Sequence, residues 1–590
     1  MRAKAAKDGL TVRAIAGTYN VLIALDLQPE KRPGCLGFSI ERTDLDSGEC
    51  RWLPNMVRFP EDASTAWLTS ARAPLQTFRW GDYTTQPGRR YRYRVVARYG
   101  SPAEIIAAGV AAEAPGAQGG LPGGVGVEIR TEDTKAPATA VHFNRGAAAS
   151  KAYNDKFGDT DPANNPVAMA WLSRGLEEAL LDFLGAAGPG DALHAVVYEF
   201  QKLNLLDALR AAKARGVDVQ VVYHARHKAA ADHANDHAER LAAGAAADET
   251  EVEGSDHTRA KNEAAIKQTG LDTALGAALT ARAANPQGAI MHDKYVVRLT
   301  GGAPVSVWTG STNWTDGAIY GQLNVGHAIN DATVAAQYEQ SFQLLKGDPA
   351  PGPSRTGNAA IARLPADRAS IPQGITPVFS PQSSLAMIDL YADVCRNAKL
   401  LLVSAPFLLH DTIRKVLEQP TNGALRYVMA DKAGSFGPKG EINLFNGDPG
   451  RAGVVATMLS KPLNDFQGKL LEGTESFHHA GVHVHSKIIL ADPFGPDPIL
   501  ITGSANFSTN STTENDSNSV IFRGDTAVAD IYATEFMRMF QHYWLRFRQS
   551  QQEAAQPGTG GLALQTIEAW QAKYFDPTTT DFRDRVAFVG

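Results

Sequence analysis

Met291-His292-Asp293-Lys294-Tyr295-Val296-Val297, followed by Trp308-Thr309-Gly310-Ser311-Thr312-Asn313-Trp314, is answered later in the chain. The second copy reads His485-Ser486-Lys487-Ile488-Ile489-Leu490, then Ile501-Thr502-Gly503-Ser504-Ala505-Asn506-Phe507. The two histidines stand 193 positions apart, and so do the two asparagines. A His-x-Lys segment and a Gly-Ser-x-Asn turn repeated at one offset mark an internal duplication built around a shared site. On a strand, residues i and i+2 face one way, so His292 points with Lys294 and His485 with Lys487.

Around the motifs the chain alternates strands and helices. Leu193-His194-Ala195-Val196-Val197-Tyr198 is an apolar strand, and residues 204–215 form a helix with Leu205, Leu206, Leu209 and Ala212 on one face. Gly216 ends that helix, and residues 217–223 are the next strand. Such βαβ order predicts a mostly parallel, covered sheet over residues 126–350. Residues 373–550 repeat it. Val378-Phe379-Ser380-Pro381 answers Val141-His142-Phe143-Asn144, residues 399–404 answer the Leu193 strand, and 410–419 and 425–429 are its helix and strand. Residues 525–549 close the second lobe, and 551–590 are a C-terminal extension. Residues 228–283 read as helices and loops over the first sheet.

Residues 1–112 read as all-β. Tyr91-Arg92-Tyr93-Arg94-Val95-Val96-Ala97-Arg98-Tyr99 alternates with period two between Gln86-Pro87-Gly88 and Gly100-Ser101-Pro102. Short strands with frequent turns predict a β-sandwich. Its pattern is similar to a fibronectin type III domain, which implies an interaction role without chemistry. Gly- and Pro-rich stretches place linkers at 113–125 and 351–372.

The chain of 590 residues is long enough for several cores, and no apolar run reaches the ~20 residues of a membrane helix. No signal peptide is legible, so a cytoplasmic setting is the default, with signal-independent export the alternative. Three cysteines make no disulfide framework. A net charge of −6 disfavours a dedicated nucleic-acid binder.

A neutral imidazole acts as nucleophile or general acid/base, and a nearby ammonium holds an anion. The repeat thus predicts His292, His485, Lys294, Lys487, Ser311, Ser504, Asn313 and Asn506 around one phosphate. That set suits phosphoryl transfer with no metal and no cofactor.

His485-Ser486-Lys487-x4-Asp492 with Gly503-Ser504-x-Asn506 matches the HxKxxxxD signature of the phospholipase D superfamily. His292-Asp293-Lys294 with Gly310-Ser311-x-Asn313 resembles the first of two copies. The resemblance spans about residues 126–550. It implies an α/β fold: two pseudo-twofold lobes with mixed sheets and covering helices, with the site between them. It also implies a phosphohistidine intermediate, with His292 the nucleophile and His485 the acid/base. Leu299 stands where the second copy has Asp492, a residue the family uses structurally. Asn324 and Ser517 hold the places of the acidic residue that orients each histidine, with Glu514 and Asp516 near the second.

Other residues carry weaker signals. Glu199, at a strand end, reads first as a surface charge and otherwise as a site residue. His483 shares a face with His485 and reads as pocket-lining rather than as a metal ligand. Residues 431–473 read as a lid or as an excursion. The function expected is phosphodiester hydrolysis, or transfer to an alcohol, at a phospholipid head group, with at most peripheral membrane contact. A metal-independent nuclease is the first alternative, and a non-catalytic scaffold the second.

Overall fold

The structure, a computed structural model, describes all residues except 56, 63, 65–67, 114–119, 137, 147–152, 154–155, 159–164, 227–254, 285–288, 408, 431–447, 456–483 and 556–562. Most of the expected lid (431–447 and 456–473), His483 and much of the 228–283 region therefore lie outside the described residues, while residues 451–455 of the expected lid are a strand of the second sheet.

The N-terminal strands are β1 (Arg2–Lys7), β2 (Leu10–Ala16), β3 (Val21–Leu27), β4 (Cys35–Asp44), β5 (Cys50–Trp52), β6 (Pro54–Asn55), β7 (Leu68–Thr69), β8 (Arg79–Asp82), β9 (Arg90–Tyr99) and β10 (Val125–Arg130). Two four-stranded antiparallel sheets, ordered β1-β2-β3-β8 and β10-β9-β4-β5, face each other as a sandwich. In β9, Tyr91, Tyr93 and Val95 point into the core, while Arg92 and Arg94 pair outward with Glu128 and Glu41. The domain does not end at 112. After helix α1 (Pro102–Glu113) the chain returns as β10, whose Val125, Val127 and Ile129 are buried along the β9 edge. An edge strand needs covering, and β10 covers this one. The boundary expected at 113–125 thus falls inside the domain.

The first lobe holds β11 (Thr139–Phe143), β12 (Ala192–Val197), β13 (Asp218–His224), β14 (Leu279–Arg282), β15 (Lys294–Thr300), β16 (Ala303–Gly310) and β17 (Val325–Ile329). The second holds β18 (Gly374–Ser380), β19 (Leu400–Ala405), β20 (Leu425–Ala430), β21 (Arg451–Val455), β22 (Ile488–Ala491), β23 (Ile499–Gly503) and β24 (Ser517–Arg523). The orders are β11-β17-β16-β15-β12-β13-β14 and β18-β24-β23-β22-β19-β20-β21, the same order with each label raised by seven. The sheets are mixed, not mostly parallel. Only β12-β13-β14 and β19-β20-β21 run parallel. β15 and β16 are joined by the tight turn Gly301-Gly302, which only antiparallel neighbours allow.

Helices α2 (Pro166–Ser173), α3 (Leu176–Gly185), α4 (Leu203–Ala214), α5 (Ser255–Thr269) and α6 (Ala332–Lys346) accompany the first sheet. In α4, Leu205, Leu206, Leu209 and Ala212 are the buried face. The expected linker at 351–372 begins as helix α7 (Pro351–Ile361). Proline suits the first helical turn, and Ser354 and Asn358 are buried on one side. Arg355 of α7 donates to the Thr513 carbonyl and Glu514, so the segment is a strut onto the second lobe. That lobe adds α8 (Ala386–Arg396), α9 (Asp411–Glu418) and α10 (Thr526–Ala555).

The C-terminal extension folds back. Trp570 stacks on Phe78 at 5.5 Å, and its indole donates to the Cys35 carbonyl. Helix α11 (Thr580–Val589) places Asp584 between Arg79 of the sandwich and the Tyr427 hydroxyl of the second lobe. One apolar core runs from Ile15 and Leu22 through Val297, Val307, Leu490 and Val520 to Tyr532 and Phe536 of α10. No described helix is long and apolar enough to cross a membrane.

Candidate active site

The lobes meet along the residues just before β15 and β22. Met291 pairs with Asp516, and Leu323 pairs with Val484. The duplication offset carries Met291 to Val484 and Leu323 to Asp516, so each bridge is the twofold twin of the other. Each motif histidine is thereby held by the opposite lobe. The His292 N–H donates to the Asp516 carbonyl at 2.6 Å, and the His485 N–H to the Leu323 carbonyl at 3.1 Å.

The two imidazoles face each other with ring centres 6.5 Å apart. Lys294 Nζ donates to the His292 carbonyl at 2.6 Å, and Lys487 Nζ to the His485 carbonyl at 2.8 Å. Lys487 Nζ also lies 3.2 Å from His485 Nε2. The repeat therefore assembles its two histidines and two lysines in one buried cluster.

Burial pushes both imidazoles well below their ordinary value, and the lysine charges push the same way. Burial pulls Lys294 down to about 7, against the opposing charge of Glu199, and lowers Lys487 well below its usual range. Asp293 is pushed up to about 7 by burial. An anion between the lysines relieves this strain of like charges.

The histidines are not equivalent. His485 Nδ1 lies 3.1 Å from the Ser311 carbonyl and 3.0 Å from Asn324 Oδ1, so Asn324 orients it across the lobe boundary. Ser517, at the twin position, bonds instead to Ser380 and Ser511. Among the described residues no side chain bonds His292 Nδ1; the Ser504 backbone, twin of the Ser311 carbonyl, is the group acting on that imidazole. The Tyr198 ring supports His292 from the side at 5.1 Å. Glu514 ion-pairs with Arg355, and the Asp516 carboxylate with Arg282. Asp516 thus grips His292 through its backbone.

The Gly-Ser-x-Asn turns divide their work. The Ser311 hydroxyl donates to Asn324 Oδ1 and accepts from the Val325 N–H. The Ser504 hydroxyl donates to the Asn518 carbonyl and accepts from the Asn518 N–H. Both serines therefore shape their turns rather than facing a ligand. Asn313 Nδ2 donates to Glu199 at 2.5 Å, which places Glu199 in the site rather than on the open surface. Among the described residues Asn313 Oδ1 and Asn506 Oδ1 are buried without a partner. A side-chain amide can be turned either way about its last bond, so both fit a polar ligand.

Asp492 accepts from the Lys399 and Leu400 N–H groups and pairs with Arg368, stapling the start of β19 away from the imidazoles. Leu299 at the twin place is buried in the shared core, and Asp191 staples the corresponding turn by accepting from the Gly188 N–H. Asn518 had no local sequence signal. It donates to Asp293 at 2.6 Å and accepts from Thr309 and Tyr338, locking the lobes together. Phe407, exposed and 6.4 Å from the His485 ring, also escaped the sequence.

Among the described residues no group of three His, Cys, Asp or Glu side chains is placed to hold a metal ion. A cleft of about 710 Å³ opens beside Glu177, Lys202 and Tyr320, but no repeated-motif residue lines it, and its charges pair among themselves.

Residues 180–346 match the family model described as cardiolipin synthase, PLD-like domain. Among curated proteins none matches the chain. Among solved structures, polyphosphate kinase from Porphyromonas gingivalis aligns at 10% identity over 60% of this chain and 46% of its own, with a TM-score of 0.33. This chain thus spans less than half of that protein. Phosphatidylserine synthase from Haemophilus influenzae Rd KW20 aligns at 12% identity over 65% and 91%, with a TM-score of 0.39. Nuc, a phospholipase D family member from Salmonella typhimurium, aligns at 19% identity over 29% and 94%, with a TM-score of 0.20. Residues 180–346 thus form a phospholipase D-like domain, and the second lobe repeats its strand order and its motifs.

Proposed function

We propose that the chain is a phospholipase D-type phosphodiesterase that cleaves the head-group ester of a phospholipid, by hydrolysis or by transfer to an alcohol. The observation that carries the reading is the pair of opposed imidazoles, 6.5 Å apart, each beside a buried ammonium. Near-attack distances are about 3–3.5 Å, so one phosphorus fits between the two rings.

His292 attacks phosphorus as a neutral imidazole. The N–P bond forms as the P–O bond to the head-group alcohol breaks, and His485 gives its proton to the departing oxygen. His485 then takes a proton from water or an acceptor alcohol, whose oxygen attacks phosphorus and expels His292. The lysines hold the added negative charge at both stages. His485 must carry a proton for the first step. A bound monoanion between Lys294 and Lys487 favours it by offsetting the field that depresses the imidazole.

The test is release of head-group alcohol from phospholipid micelles, with single- and double-stranded DNA as the competing substrates. His292→Asn is expected to abolish turnover. His485→Asn is expected to slow it and to accumulate a covalent adduct visible by intact mass. Full activity in either variant overturns the two-histidine mechanism, and turnover of DNA alone overturns the phospholipid assignment.

A further inference from the structure

The two imidazoles are steadied by different means. His485 Nδ1 has a side chain beside it, the Asn324 amide from the opposite lobe. Among the described residues no side chain bonds His292 Nδ1. An attacking atom still needs a fixed line of approach, because a small misplacement costs a large factor in rate. The first lobe supplies a prop of its own.

β15 leaves the sheet at Asp293, whose carbonyl accepts from the Tyr198 N–H just past β12. Two residues back, on that same edge, the Met291 N–H finds no backbone acceptor among the described residues and donates to His224 Nδ1 at 3.3 Å. His224 is the last residue of β13 and is fully buried. On the opposite edge the His292 N–H donates to the Asp516 carbonyl. The segment that carries His292 is thus held from both sides, by the other lobe's backbone and by one imidazole of its own lobe.

That imidazole also closes a column of rings. His224 packs on Tyr198 at 5.1 Å, and Tyr198 packs on His292 at 5.1 Å. Behind the column stands Asn262 of α5, also fully buried. Its amide donates to the Tyr198 carbonyl at 2.8 Å and the His224 carbonyl at 3.0 Å, and accepts from the Phe200 N–H at 2.8 Å. One side chain therefore ties together the strand ends that carry both rings. The strand register makes Pro406 the twin of Tyr198, so the second lobe has no aromatic ring at that place.

We propose that His224 is a positioning residue for His292. It touches no reacting atom. It aims the attacking imidazole by holding the Met291 N–H and by backing the Tyr198 ring. The assignment rests on the phosphodiesterase reading above and goes beyond it by naming what aligns the nucleophile.

The experiment isolates the attack step. The substrate is bis(4-nitrophenyl) phosphate, whose nitrophenolate departs without needing a proton from His485. The parent chain carries His485→Asn, so the adduct on His292 is stalled and each competent molecule releases one nitrophenolate. The burst amplitude then counts competent molecules, and the burst rate measures attack by His292. Loss of folded protein lowers the amplitude, and loss of alignment lowers the rate. Adding His224→Phe keeps a ring but removes the acceptor, and is expected to slow the burst about tenfold or more, whereas His224→Asn keeps an acceptor and is expected to stay within about threefold of the parent. Where His224→Phe does not fold, His224→Leu takes its place under the same criteria. An unchanged burst rate without the acceptor overturns the His224 assignment alone, and so does equal slowing in His224→Asn. A parent that releases no nitrophenolate and forms no adduct on phospholipid micelles overturns the phosphodiesterase reading, and this assignment with it.

Discussion

Asn324 reaches His485 from the other lobe with an amide. A carboxylate there would stabilise imidazolium, and an amide does so far less. Asn324→Asp is therefore expected to raise the His485 pKa and move the basic limb of the kcat profile to higher pH, read from pH–rate curves on phospholipid micelles. Lys294 gives a second pH signature. Its ammonium form is lost as pH rises through about 7, so kcat/KM, which reports the free enzyme, is expected to fall above that pH. The kcat limb lies higher, because a bound anion retains the charge. Lys487 is costly to bury as a cation. Its pKa is depressed in the folded state, so the cost is present at pH values below the ordinary lysine value of about 10.4 and disappears above it. Lys487→Met is expected to abolish turnover and to raise the melting temperature at neutral pH, with the gain vanishing in strong alkali. The histidines and lysines were legible because each pair lies within three residues of chain. Asn518 and Tyr198 were not, because their roles depend on contacts across 225 and 94 positions of sequence.

Among the elements, β19 shows what the motif aspartate does. Asp492 accepts two N–H groups at 2.7 and 3.0 Å and sits at φ +52°, closing the turn into the strand. Asp492→Ala leaves those donors short of an acceptor and is expected to cost about 1–3 kcal/mol in urea unfolding, with turnover per folded molecule kept. Leu299→Asp is the opposite error, burying a carboxylate in the apolar core. The strands and the α4 face could be read from periodicity, since burial of one side leaves a trace in the sequence. Sheet direction could not. β15, β16 and β17 look like any apolar strands; the two-residue turn Gly301-Gly302 makes β15 and β16 antiparallel, but residues 311–324 separate β16 from β17 and leave their direction open in the sequence. Helix α7 was hidden by its own composition, because Pro351, Gly352 and Pro353 read as a spacer although proline is at ease in a first turn.

At the scale of the whole molecule, the sandwich is part of the same body as the two lobes. Asp584 bridges Arg79 and Tyr427, Arg2 pairs with Asp530 of α10, and Trp570 fills the sandwich between Phe38 and Phe78. The sandwich and lobes are therefore expected to melt in one calorimetric transition. Trp570→Ala is expected to cost about 3–5 kcal/mol and to split off an earlier transition for the sandwich. None of this was legible, because the tail's partners lie hundreds of residues upstream and its own pattern is short. The reciprocal bridges between lobes also carry a consequence in time. A chain leaves the ribosome from its N-terminus, so His292 emerges long before Asp516, the residue that grips its backbone. Asn324 likewise waits through 161 residues of synthesis for the imidazole it orients. The pair proposed to act on a phosphodiester therefore assembles only after β24 has been made and has docked.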